Sequence, residues 1–134
     1  MKYSKQMLVA AALAALMGAA MASDIVVVGN PAAAPMTKDQ VSDVFLGKNQ
    51  SYTPIDQAEG APIRGAFYKQ ATGRDAAQVK AAWSRLVFSG KAQPPREVAD
   101  AAAVKKAVAA DPKAVGYIDK ASVDASVKVL STLD

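Results

Sequence analysis

The chain has 134 residues, 51% of them hydrophobic and 21% charged, with a formal net charge of +4 and neither Cys nor His. This is the composition of one ordinary globular domain. The absence of Cys excludes disulfides, thiolate nucleophiles, Cys-held zinc and lipid attachment at an N-terminal Cys, and the absence of His excludes Ser-His-Asp and Cys-His catalysis. The chain therefore reads as a non-enzyme with no cofactor and no metal centre.

Lys2 and Lys5 precede an apolar run from Met7 to Met17 and small residues up to Ala22, which is the layout of a cleaved signal peptide. The run falls short of the roughly 20 apolar residues that cross a bilayer. Ala20-Met21-Ala22 places the cut before Ser23, so residues 1–22 leave and residues 23–134 form a single domain with no membrane span. Cleavage removes two basic residues and lowers the net charge from +4 to +2. The remaining basic residues are dispersed, which excludes a nucleic-acid partner. An exported, unlipidated chain without Cys suits the periplasm.

Asp24 to Gly29 is a continuous β-branched run that predicts a strand buried on both faces, as in a parallel sheet. Thr37 and Gln40 form a capping box that starts a helix with Val41, Val44 and Phe45 on its apolar face, stopped at Gly47. Tyr52 to Asp56 reads as a short strand, with Pro54 marking an edge or a strand start. Gly60 and Pro62 open a second helix that Gly73 closes.

Asp75, with Gln78 three residues on, caps a third helix whose buried stripe is Val79, Ala82, Trp83, Leu86 and Val87. Phe67, Tyr68, Trp83 and Phe88 sit at helical spacing and read as core rather than as a ligand-stacking surface. Ser89 to Arg96, with Gly90, Pro94 and Pro95, reads as loop. Asp100 begins an Ala-rich helix, followed by strands at Ala114–Ile118 and Val127–Leu130. Strands alternating with helices indicate an α/β domain with right-handed crossovers.

Several of these segments together resemble the phosphate-binding proteins of ABC importers, which have the type II periplasmic binding protein fold. Val41-Ser42-Asp43-Val44-Phe45-Leu46-Gly47-Lys48 is similar to that family's helix ending in Phe/Tyr-Leu-Gly-Lys. Pro54-Ile55-Asp56, Glu59-Gly60, Arg64, Phe67-Tyr68 and Ala114-Val115-Gly116-Tyr117-Ile118 follow in the family's order. The resemblance implies an α/β fold equivalent to a single lobe of such a receptor, a small mixed sheet flanked by helices. It also implies a small anionic, phosphate-like solute as ligand, and an ABC importer or a second chain supplying the missing lobe as partner.

The family holds its oxyanion with an Arg-x-Asp-Gly-Ser-Gly-Thr stretch whose last residues start a helix. Gln57-Ala58-Glu59-Gly60-Ala61-Pro62-Ile63 stands at that place. Gly60 is retained, Glu59 keeps an acid, Gln57 replaces the cation, and Ala61 and Ile63 replace the hydroxyl donors. A helix start still offers unpaired N–H groups and a positive dipole end, and Arg64 lies within one turn of it. The candidate ligand-binding residues are accordingly Gln57, Glu59, Gly60, Ala61, Ile63 and Arg64, expected to bind an oxyanion weakly. The alternative is an interaction module on the same scaffold that has lost the solute site.

Overall fold

The computed structural model describes residues 24–133. The inferred signal peptide, residues 1–22, and the cut before Ser23 lie outside the described residues. The elements in chain order are β1 (Ile25–Gly29), α1 (Lys38–Phe45), β2 (Thr53–Gln57), α2 (Pro62–Thr72), α3 (Ala76–Phe88), β3 (Arg96–Val98), α4 (Ala101–Ala110), β4 (Ala114–Asp119), a 3-10 turn (Lys120–Ser122) and β5 (Lys128–Leu133). No helix among the described residues is long and apolar enough to cross a membrane.

The strands form one mixed sheet in the order β3-β2-β4-β1-β5. β2 is parallel to both β3 and β4, whereas β1 is antiparallel to both β4 and β5. The parallel setting expected for β1 is therefore corrected. Its apolar run reflects burial on both faces, and helices cover both faces of this sheet whatever the strand direction. Val26 and Val28 pack with Val104 and Val108 of α4, while Ile25 and Val27 face the larger cluster built with α1, α2 and α3.

Local signals fixed the helix ends. Thr37 and Asp75 each close a capping box with Gln40 and Gln78, and Asp100 accepts from the Ala103 N–H. Gly73 ends α2 in the left-handed region at φ 73°, which costs glycine nothing. Pro54 is the second residue of β2, ahead of the β3 pairing that begins at Ile55, so its missing N–H takes no bond from that side. β2 itself lies inside the sheet.

Gly116 marks the closest helix-sheet approach. A Cβ there would lie 2.5 Å from Val104 Cγ1, so only glycine lets α4 sit this low on β4. On the opposite face Phe45, Phe67 and Tyr117 are fully buried, with Phe67 and Tyr117 stacked at 4.0 Å between ring centroids. Trp83 donates its indole N–H to the Phe45 carbonyl at 2.7 Å, tying α3 to the end of α1.

Two further expectations fail. Arg96–Val98, which begins inside the expected loop, is a strand, because β2 offers it a parallel partner that no local pattern announces. The expected α3 stripe is buried at Val79 and Trp83, but Val87 is 41% exposed and Phe88, read as core, is 95% exposed. The last turn of α3 projects beyond the elements it packs against, so helical spacing continues where the core has stopped.

Candidate functional site

β2 delivers Asp56 and Gln57 to the sheet's end, a turn closed by the Ala61 N–H on the Ala58 carbonyl at 2.9 Å follows, and Pro62 begins α2. Asp56 is 2% exposed, a position that a carboxylate occupies only when fully partnered. The hydroxyls of Tyr68 and Tyr117 both donate to it, the Gln57 N–H donates at 3.0 Å, and Arg64 Nε lies 3.6 Å from its Oδ2. Burial first, and then the Asp56 charge, push both phenols well above the ordinary tyrosine range. They stay protonated and act as hydrogen-bond donors.

Arg64 is held from three sides. Besides Asp56, its Nη1 donates to the Gln57 carbonyl at 3.0 Å and pairs with Glu97 Oε2 at 3.2 Å. Burial works against the guanidinium charge, but Asp56, Tyr68 and Glu97 together outweigh it and raise the pKa. The Arg64 side chain is 13% exposed and that of Glu97 53%, so the outer carboxylate is the one able to move aside.

The six predicted residues separate in space. Glu59, Gly60 and Ala61 lie together at the open start of α2, where Glu59 pairs with Lys80 Nζ at 2.6 Å and that cation holds its carboxyl below the usual range. Nothing comes within 4 Å of where a Gly60 Cβ would stand. Gln57 turns inward, its side chain donating to the Tyr117 carbonyl at 2.9 Å. Ile63 packs against the core. Arg64 reaches the site but is already ion-paired with Asp56 and Glu97, its buried Nε making no hydrogen bond among the described residues.

Of the four α-helices among the described residues, α2 is the one whose N-cap, Ala61, supplies no side-chain hydrogen bond. Among the described residues the N–H groups of Gly60 and Ile63 meet no acceptor. Beside this turn lies a cavity of about 420 Å³. Asp56, Arg64, Tyr68 and Glu97 form its polar floor, and Trp83, Phe88, Pro94 and Pro95 belong to its apolar wall. The arrangement offers N–H donors and a guanidinium paired with two carboxylates.

Sequence reasoning missed Tyr68, Tyr117 and Glu97 as site residues. A buried acid such as Asp56 at the end of an apolar strand requires donors, but which tyrosines supply them depends on contacts 12 and 61 positions away.

No family model matches the chain, and no curated protein sequence matches it. Solved structures do. An ABC-type phosphate transport receptor from Vibrio cholerae superposes over 81% of this chain with a TM-score of 0.61 at 18% identity. A Clostridium perfringens substrate-binding protein assigned to phosphate ABC transport, solved with phosphate bound, gives 0.65 at 18% identity over the same share. The chain has the fold of one domain of these receptors. PstS from Borrelia burgdorferi also superposes, with a TM-score of 0.55 at 13% identity. The chain covers 45%, 44% and 47% of these three proteins, less than half of each. The neighbours are binding proteins rather than enzymes, and the likeness supports the fold family, not membership of it.

Proposed function

We propose that the protein is a non-enzymatic, solute-binding-like receptor domain of the periplasm that binds a small oxyanion such as phosphate, weakly, at the first turn of α2. The observation that carries this reading is the uncapped start of α2 at Ala61, next to the open Gly60 turn. Unpaired N–H groups and the helix dipole favour an anion there, and the fold neighbours include a receptor solved with phosphate bound. Arg64 stands nearby with its Nη1 already engaged by Glu97 and the Gln57 carbonyl, so an anion competes with Glu97 for that guanidinium. With two or three charge-assisted bonds set against that competition and the ligand's immobilisation, the dissociation constant falls roughly between high micromolar and millimolar.

The Lys-flanked apolar leader supports export, and the receptor-like fold makes an ABC importer, or a second chain covering the open side, the natural partner. Calorimetric titration with phosphate and sulfate in low salt tests the reading. Heat of binding that shrinks as salt is added is the expected result; no heat at about ten millimolar phosphate would remove it. One observation favours a second reading, an interaction module without a solute: Arg64 already has both carboxylate partners, and the adjoining cavity wall is apolar.

A further inference from the structure

Three helices end in the same way. Just past the last turns of α1, α2 and α3 stand Gly47, Gly73 and Gly90, each in the left-handed region, and each is followed at once by a cation: Lys48, Arg74 and Lys91. Together with Arg85 of α3, these cations line one hollow of about 450 Å³. Leu46, Ala82 and Leu86 supply its apolar lining, and no carboxylate contributes to it.

Backbone contacts fix the frame of the hollow. The Lys48 N–H donates to the Asp43 carbonyl at 2.8 Å, the Lys91 N–H to the Leu86 carbonyl at 3.0 Å, and the Gln50 side chain to the Lys91 carbonyl at 3.0 Å. A Cβ at Gly47 would lie 2.5 Å from Leu86 Cδ1, so the end of α1 rests directly on α3.

A cation just past a helix end is favoured by that helix's own dipole, which accounts for each of these residues taken singly. It does not account for four together, because three helix ends supply at most about −1.5 charges against four full positive ones. No Asp or Glu covers the excess: the ion pairs among the described residues use Arg64, Lys80 and Lys105 instead. The net charge beyond residue 22 is only +2, so the concentration is local. Cations around a hollow with an apolar floor suit a segment that protrudes, whereas a flat anionic membrane would meet the rim alone. Clusters of basic side chains recognise acidic motifs in this way.

We propose that this hollow is the docking site for an acidic segment of a partner protein, whose carboxylates pair with Lys48, Arg74, Arg85 and Lys91 while an apolar side chain between them rests on Leu46 and Leu86. The site is separate from the start of α2. Lys80, Ser84 and Phe88 line the cavity there, whereas Ala82, Arg85 and Ser89 line this one, and the two cavities share no residue.

The probe is the peptide Glu-Glu-Leu-Glu-Glu, titrated into isotope-labelled protein purified from its producing cells, with the amide signals followed by NMR. Saturable shifts should appear at Lys48, Arg74 and Lys91 in low salt, and leave Gly60 and Ile63 unmoved. Raising the salt from about 20 mM to about 0.3 M should weaken binding severalfold. Arg85→Glu and Lys91→Glu should each weaken it roughly tenfold or more without altering the circular dichroism, because both side chains are exposed. The uncharged peptide Gln-Gln-Leu-Gln-Gln should not bind.

Absence of saturable shifts at about five millimolar peptide in low salt overturns the proposal, as does binding undiminished in both variants. Shifts confined to Gly60 and Ile63 would move the peptide to the start of α2 and also overturn it. Phosphatidylglycerol vesicles that bind through Arg85 and Lys91 while the peptide does not would assign the face to a membrane instead.

Discussion

Asp56 and Arg64 form an ion pair across the start of α2, with Arg64 Nε 3.6 Å from Asp56 Oδ2 and Asp56 almost wholly buried. The pair joins three elements, because Tyr68 of α2 and Tyr117 of β4 donate to the same carboxylate that closes β2. It is at once the polar anchor of the larger core and the floor of the candidate site.

Removing the carboxylate should therefore cost more than an exposed pair would. Asp56→Ala leaves two buried tyrosine hydroxyls without their acceptor and removes the buried counter-charge of Arg64, and breaking a buried pair in this way costs roughly 3–5 kcal/mol. Urea denaturation monitored by circular dichroism measures it. Glu97→Gln removes only the outer, half-exposed partner and should cost less than about 1 kcal/mol.

Alkaline pH should destabilise the fold through the same cluster. Tyr68 and Tyr117 have folded pKa values raised by burial and by the Asp56 charge, so the folded state holds both phenol protons more tightly than the unfolded chain does. Their contribution is fully present below the unfolded tyrosine pKa of about 10, and is lost as pH rises beyond it, by up to about 1.4 kcal/mol per pH unit for each tyrosine. Stability curves collected from neutral to alkaline pH should bend downward there. Tyr68→Phe should remove one tyrosine's share of that slope.

The close approach of α4 to β4 predicts a suppressor pair. Gly116→Ala drives a methyl into Val104 Cγ1, and such overpacking costs roughly 1–3 kcal/mol. Val104→Ala in the same chain should recover part of the loss caused by the first substitution. On the other face, Phe67→Ala deletes the ring stacked on Tyr117 and should cost roughly 3–5 kcal/mol. Thermal melts of the three variants decide both points.

The anion site makes two opposite predictions. Arg64→Ala should weaken phosphate binding roughly tenfold or more, whereas Glu97→Gln, which removes the outer carboxylate competing for Arg64, should tighten it several-fold. Arg85→Ala should change little. Calorimetry on the three variants reads the differences, and a Glu97→Gln variant that binds no better would place the anion away from Arg64.

Export is tested most simply by mass. Protein released by osmotic shock should begin at Ser23, as Ala20-Met21-Ala22 directs. Intact Met1 to Ala22 found in the membrane fraction would contradict both the cleavage and the periplasmic assignment.

The sequence alone determined what depends on neighbours three or four residues apart. The Thr37–Gln40 and Asp75–Gln78 boxes, the Gly73 stop and the two-sided burial of β1 were all legible because the groups that satisfy them lie within one turn or one strand. The tertiary structure alone decided the rest. β1 runs antiparallel because β4 and β5 flank it, β3 exists because β2 accepts it, and Phe88 is exposed because the core ends a turn before α3 does. At the site, the helix start at Pro62 was legible from the local pattern, but the occupation of Arg64 by Asp56 and Glu97 was not. The Asp56 pair crosses from β2 to α2 and the Glu97 pair reaches β3, more than thirty positions further on, and hydrogen-bond chemistry across such distances leaves no periodic trace in a chain read one residue after another.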